Sequence, residues 1–176
     1  NKWWMIRKAG NIDKHFMDNI HDLIHDGKIK SAIALCQKYD SPVARLVEKG
    51  IERIGRPLQD IQTAVENMGN VEVARLEKGL PMLATIAGGA PMIGFLGTVA
   101  GMIEAFFQMS NAGNNIDVSS LAGGIYTAMV TTLGGLFVGI IAYFAYNYLT
   151  TLVDKVVRDM EARSLEFMDI LNEPAN

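Results

Sequence analysis

Leu80–Ile103 reads LPMLATIAGGAPMIGFLGTVAGMI, a run without a single Asp, Glu, Lys or Arg. A second charge-free run extends from Val118 to Val153. Crossing a hydrocarbon core of about 30 Å takes ~20 residues of helix, and both runs exceed that length. Burying two such helices in a soluble bundle would take far more covering protein than 176 residues provide. The stretches therefore predict two spanning helices, over Leu80–Met109 and Leu121–Leu152. The polar segment between them carries Asn111, Gly113, Asn114, Asn115 and Asp117, and reads as a turn. Arg75 and Lys78 precede the pair and Lys155 and Arg158 follow it, while the turn has no cation. Lysine and arginine collect on the cytoplasmic side, so both ends are expected there and the turn outside.

Outward from this pair the chain is polar and helical. Hydrophobic residues make up 49% and charged residues 20%, so the charges crowd into what the apolar runs leave over. Phe16, Ile20, Leu23 and Ile24 recur at helical spacing within Asp13–Asp26, and Gly27 stops that helix. Ile29–Tyr39 repeats the pattern with Ile33 and Cys36. Asp40-Ser41-Pro42 starts a third helix, with proline in its first turn. Val43, Leu46, Val47 and Ile51 form its stripe, and Gly55-Arg56-Pro57 separates it from a helix over Leu58–Lys78. Beyond the second span, Val153, Val156, Val157, Met160, Phe167, Met168 and Leu171 share one face of a continuing amphipathic helix. The expected division is a polar helical region at 1–79, an antiparallel membrane hairpin at 80–153 and a C-terminal helix at 154–176.

Other classes find little support. A net charge of −3 supplies no basic field for nucleic acid. Cys36, the one cysteine, reads as a small buried apolar residue. His21 and His25 share a helical face, but no third strong ligand stands at motif spacing, so they read as a solvated face rather than a metal site. No nucleotide-binding loop, cofactor motif or nucleophile triad is recognisable, and no enzyme is expected. Trp3, Trp4 and Met5 followed by Arg7 and Lys8 are what a spanning helix shows as it leaves lipid. They predict a further transmembrane helix ahead of residue 1, with an interfacial anchor as the alternative.

The first span contains Ala90-Pro91-Met92-Ile93-Gly94-Phe95-Leu96-Gly97-Thr98-Val99-Ala100-Gly101-Met102-Ile103. The second contains Gly123-Gly124-Ile125-Tyr126-Thr127-Ala128-Met129-Val130-Thr131-Thr132-Leu133-Gly134-Gly135-Leu136, with Tyr146-Asn147 near its end. Together, in this order and at this separation, they resemble the signatures of the ExbB/TolQ/MotA proton-channel family, the ExbB type most. The polar segment with Gly27, Ala32, Cys36, Ser41-Pro42 and Gly50 is similar to the family's cytoplasmic region, so the resemblance covers most of the chain.

From the residues alone, Gly94, Gly97 and Gly101, with Gly135 and Gly139, are small residues at helix-packing spacing. Thr98 and Thr132 are both 17 residues from Asn115, which places their hydroxyls in one layer of an antiparallel hairpin. Each could bond back to its own helix, or line a passage. The resemblance implies the passage: matching threonines line a pore around a partner's helices, with Thr127 and Thr131 on the same path. The family commonly has a glutamate where this chain has Thr127. Glu104, 11 residues before Asn115 against 12 after it for Thr127, is a candidate replacement at similar depth. A solvated position at the membrane rim is the cheaper alternative, since a carboxylate at the bilayer centre costs ~2.5–3.5 kcal/mol.

Threonine cannot carry a proton by titrating. A path through this hairpin needs a carboxylate from elsewhere. The resemblance implies an ExbD-like single-span partner with a membrane aspartate, a homo-oligomeric, pentamer-like ring and a TonB-like protein as recipient. The setting it implies is the bacterial inner membrane. TolQ-like and MotA-like motors are the rival types, although the short cytoplasmic insertion disfavours the flagellar one. A membrane scaffold without an ion path is the rival of another class.

Overall fold

The computed structural model describes residues 15–111 and 118–172, so Trp3, Trp4 and the apex of the hairpin turn lie outside the described residues. All regular structure among the described residues is α-helical: α1 Phe16–His25, α2 Ile29–Lys38, α3 Pro42–Ile51, α4 Leu58–Glu77, α5 Leu80–Asn111 and α6 Val118–Asn172. The first span runs two residues past its expected end. The second and its amphipathic continuation are one helix of 55 residues. The chain divides into two compact units. One holds the residues up to Lys78 with those from Leu149 onward, and the other is Gly79–Tyr148.

The polar unit is built on large apolar side chains. Phe16 and Ile20 of α1, Ala32 and Cys36 of α2, Val43, Val47 and Ile51 of α3, Val65 of α4, and Val153, Met160 and Phe167 of α6 are all buried. Ile170, absent from the expected α6 face, is buried with them. Fully burying a side chain of this kind contributes about 1.5–3 kcal/mol. Phe16 also meets Tyr39 edge to face, with ring centroids 5.2 Å apart. Ser41 caps α3, its Oγ accepting the Ala44 N–H at 3.1 Å, and Pro42 sits where no helical N–H is needed. Gly27 and Gly55 take φ of +69° and +97° at the turns after α1 and α3, a backbone conformation that L side chains resist.

The hairpin unit is organised differently. Among the described residues, two helical stretches are long and apolar enough to cross a membrane, and their apolar parts are α5 and the first half of α6. Only 6% and 17% of their apolar windows are buried, the opposite of a soluble core helix. Phe95, Leu96, Phe106, Phe107, Leu133, Phe137 and Phe144 all face outward. Such a surface is stable against lipid or other membrane helices and not against water. Pro91 stands inside α5 without ending it.

Candidate functional site

The inner seam of the hairpin is a ladder of small residues. A Cβ on Gly135 would lie 2.5 Å from the Ala90 carbonyl oxygen and 2.8 Å from Gly94 Cα. A Cβ on Gly94 would meet the Thr131 carbonyl at 3.0 Å. The two backbones touch here, which no residue larger than glycine allows. The same holds along the seam. Gly139 packs on Pro91, Gly97 on Thr131, Gly101 on Ala128 and Gly124 on Ala105. Contacts step by three or four residues in opposite directions, as antiparallel helices require. All five glycines singled out for packing lie on this seam.

At the centre of the ladder the two threonines meet. Thr98 Oγ1 and Thr132 Oγ1 are hydrogen-bonded to each other. Thr98 Oγ1 also reaches the Ala128 carbonyl across the hairpin at 2.9 Å, and Thr132 Oγ1 the Gly94 carbonyl at 3.1 Å. The equal-distance argument put both hydroxyls in one layer, and they share it. Their main bonds go to the opposite helix, an arrangement the sequence reading did not anticipate. It follows the close approach of the two backbones at Gly94 and Gly135, which brings each hydroxyl within reach of a carbonyl on the facing helix.

Two hydroxyl protons serve four contacts here, the fourth a long 3.5 Å reach from Thr98 Oγ1 back to the Gly94 carbonyl of its own helix. Thr98 can donate to Thr132 while Thr132 donates to Gly94, or Thr132 can donate to Thr98 while Thr98 donates to Ala128. The pair is thus a short hydrogen-bond chain with two directions. It can orient a neighbouring water or carboxylate, and it cannot take up charge.

Of the remaining candidates, Thr131 lies in the seam, while Thr127 and Glu104 bond within their own helices. Thr131 Oγ1 donates to the Ala128 carbonyl at 2.7 Å, and that hydroxyl is what Gly97 accommodates. Thr127 is exposed and donates back to the Gly123 carbonyl at 3.0 Å. Glu104 is exposed and accepts from Gln108 Nε2 at 2.8 Å, on its own helix. The chain neighbours of Glu104 and Thr127, Ala105 and Ala128, lie on the seam.

The polar unit holds a group that sequence reasoning passed over. Glu72 is 1% exposed. Arg45 Nε and Nη2 grip its two carboxylate oxygens at 2.9 and 2.8 Å, and Arg75 Nη1 adds a bond of 3.1 Å. Arg45 also reaches Asp40 Oδ1 at 2.8 Å. These bonds to Glu72, more than the partial burial that opposes them, hold the Arg45 guanidinium above its already high range. Burial pushes the Cys36 thiol up to about 12, with Glu48 nearby adding to it. His21 and His25 stack with centroids 4.9 Å apart, and His21 Nδ1 lies 3.2 Å from Asp22 Oδ1.

A pair of long apolar helices closed on a glycine seam, continuing into a charged helical unit, defines a polytopic helical membrane protein. Residues 38–162 match the MotA/TolQ/ExbB proton channel family, and the chain belongs to that family. It is 31% identical over 142 residues to a biopolymer transport protein ExbB homolog of Methanothermobacter thermautotrophicus, covering 81% of this chain and 50% of that one. It is 39% identical over 106 residues to the Tol-Pal system protein TolQ of Haemophilus influenzae, covering 60% and 46%. It is 26% identical over 171 residues to the biopolymer transport protein ExbB of Neisseria gonorrhoeae, covering 88% and 74%. The chain spans about half the length of the first two of these relatives.

Proposed function

We propose that this chain is the channel-forming subunit of an ExbB-like motor that uses the proton motive force to energise a TonB-like protein. The observation that carries the reading is the Thr98–Thr132 pair at the centre of the glycine seam, bonded across the hairpin in a belt otherwise free of charge. In this reading several copies, five by family resemblance, form a ring in the bacterial inner membrane with the polar unit in the cytoplasm. An ExbD-like partner threads the ring and supplies the aspartate that takes up the proton. Thr98 and Thr132 orient the water or carboxyl group that meets it, and Thr127, Thr131 and Glu104 border the path. Protonation removes the aspartate's charge, changes its preferred contacts and moves the partner against the ring.

A TolQ-like role in envelope maintenance is the second reading, favoured by the 39% identity to a TolQ protein. A MotA-like motor and a scaffold without conduction complete the rivals. Proton uptake by vesicles holding the chain with its single-span partner separates conduction from scaffolding. TonB-dependent outer-membrane uptake against detergent sensitivity, in cells deleted for the chain, separates the ExbB-like from the TolQ-like role. Glu104→Gln tests the rim carboxylate: a role on the path predicts slower proton uptake, and unchanged uptake removes Glu104 from it.

A further inference from the structure

One face of the polar unit is left open among the described residues. α4 and the tail of α6 form the two walls of an open groove of about 430 Å³. Leu46, Val65 and Met160, all buried, make its floor. Leu165, 68% exposed, stands at its lip. Glu66 and Glu161 are both exposed on the rim, and among the described residues no Lys or Arg lines the groove. An apolar floor with an anionic rim is the counterpart of a segment offering aliphatic side chains between cations.

The same unit displays such a segment. The turn from α3 to α4 reads Arg53-Ile54-Gly55-Arg56-Pro57-Leu58. Leu58 is 42% exposed and Ile54 half-buried. Neither Arg53 nor Arg56 makes an ion pair among the described residues, unlike Arg45, Arg75 and Arg163. The turn is preformed. Arg53 N–H donates to the Gly50 carbonyl at 3.0 Å, Arg56 N–H to the Arg53 carbonyl at 3.1 Å, and Gly55 takes the positive φ. Little ordering entropy is left to lose on docking.

We propose that this turn seats in the acidic groove of a second copy of the chain, Leu58 and Ile54 over the apolar floor and Arg53 and Arg56 against Glu66 and Glu161. A copy cannot fill its own groove. The turn opens α4, and Gly69 in the groove wall lies ~16 Å further along that rigid helix. Groove against groove is disfavoured, because carboxylates would face carboxylates. The contact is therefore head to tail, the kind that builds a ring when the rotation between copies closes. This rests on the ring of copies proposed above and names its joint.

The test uses the full chain in membranes, with Cys36→Ala as background. Two differently tagged copies are co-expressed, one with Arg56→Cys and the other with Glu161→Cys, and then oxidised. The expected result is a disulfide-linked pair carrying both tags, about tenfold above a Lys30→Cys with Glu161→Cys control. Glu66→Lys with Glu161→Lys should lower cross-linking through a Leu58→Cys and Leu165→Cys pair by about tenfold, and Arg53→Glu with Arg56→Glu should restore it. If the chain is oligomeric by light scattering but the Arg56–Glu161 pair links no better than the control, this joint is wrong and the ring stands. A monomer throughout overturns both. Linkage of the Glu161→Cys copy to a different cationic protein, with none to its own kind, overturns the joint in favour of a foreign occupant.

Discussion

The hairpin and the polar unit both use glycine for close packing, but they admit different things. In the hairpin, Gly135 admits backbone: the nearest atoms to its absent Cβ are a carbonyl oxygen and the Cα of Gly94. In the polar unit, Gly50 admits a side chain: its absent Cβ would strike the Phe167 ring, with Val65 Cγ2 at 2.9 Å. The contrast follows from the surroundings. Lipid offers no hydrophobic drive between helices, so the hairpin gains only by dispersion at close range and by hydroxyl-to-carbonyl bonds. The charged unit gains by withdrawing large apolar groups from water, and glycine there makes room for the largest of them.

Substitutions can break this comparison. Phe167→Ala should destabilise the polar unit most, by about 3–5 kcal/mol, read by chemical denaturation of the full chain in detergent. Gly135→Ala should cost about 3 kcal/mol or more, because backbone must move, and should lower the yield of folded protein. Gly50→Ala should cost about 1–3 kcal/mol and be largely rescued by Phe167→Leu, since the obstacle is a side chain. No side-chain substitution should rescue Gly135→Ala. A rescued Gly135→Ala, or a Gly50→Ala indifferent to residue 167, would erase the distinction.

The Arg45–Glu72 pair sharpens it on the electrostatic side. Arg45→Met leaves a buried carboxylate with Arg75 alone and should cost on the order of 2–3 kcal/mol. Arg45→Met with Glu72→Met should recover much of that loss.

The Cys36 effect is confined to alkaline pH and vanishes near neutrality. An unfolded thiol releases its proton near 9, whereas the native one keeps it to about 12. The native state then binds the extra proton, so stability falls as pH rises through that window, at up to ~1.4 kcal/mol per unit. Denaturation midpoints followed from pH 8 upward should decline less in Cys36→Ala than in the parent. Equal slopes would show that the thiol is not protected.

The two spans and the order of helices were legible because each rests on local pattern. Charge-free runs marked α5 and α6, Ser41-Pro42 marked the start of α3, and Gly27 and Gly55 marked turns that need positive φ. The shared depth of Thr98 and Thr132 was legible from counting alone. What they bond to was not, because that depends on how closely the two backbones approach at Gly94 and Gly135. Glu72 was missed for a related reason. A glutamate in a polar helix reads as solvated, and its partner Arg45 is 27 residues away, beyond any helical period. The acidic groove likewise forms only when α4 and the α6 tail, about ninety residues apart in sequence, come together.

The central claim is that protons pass this hairpin by way of its threonine pair and a partner's carboxylate. Its most direct test is proton uptake by vesicles containing the chain with its single-span partner, comparing the parent with Thr98→Val plus Thr132→Val. Valine keeps the shape and removes both hydroxyls, so the ring should assemble while uptake falls by at least about tenfold. Undiminished uptake in the double variant, or equal uptake from the parent chain without any partner, would contradict the account.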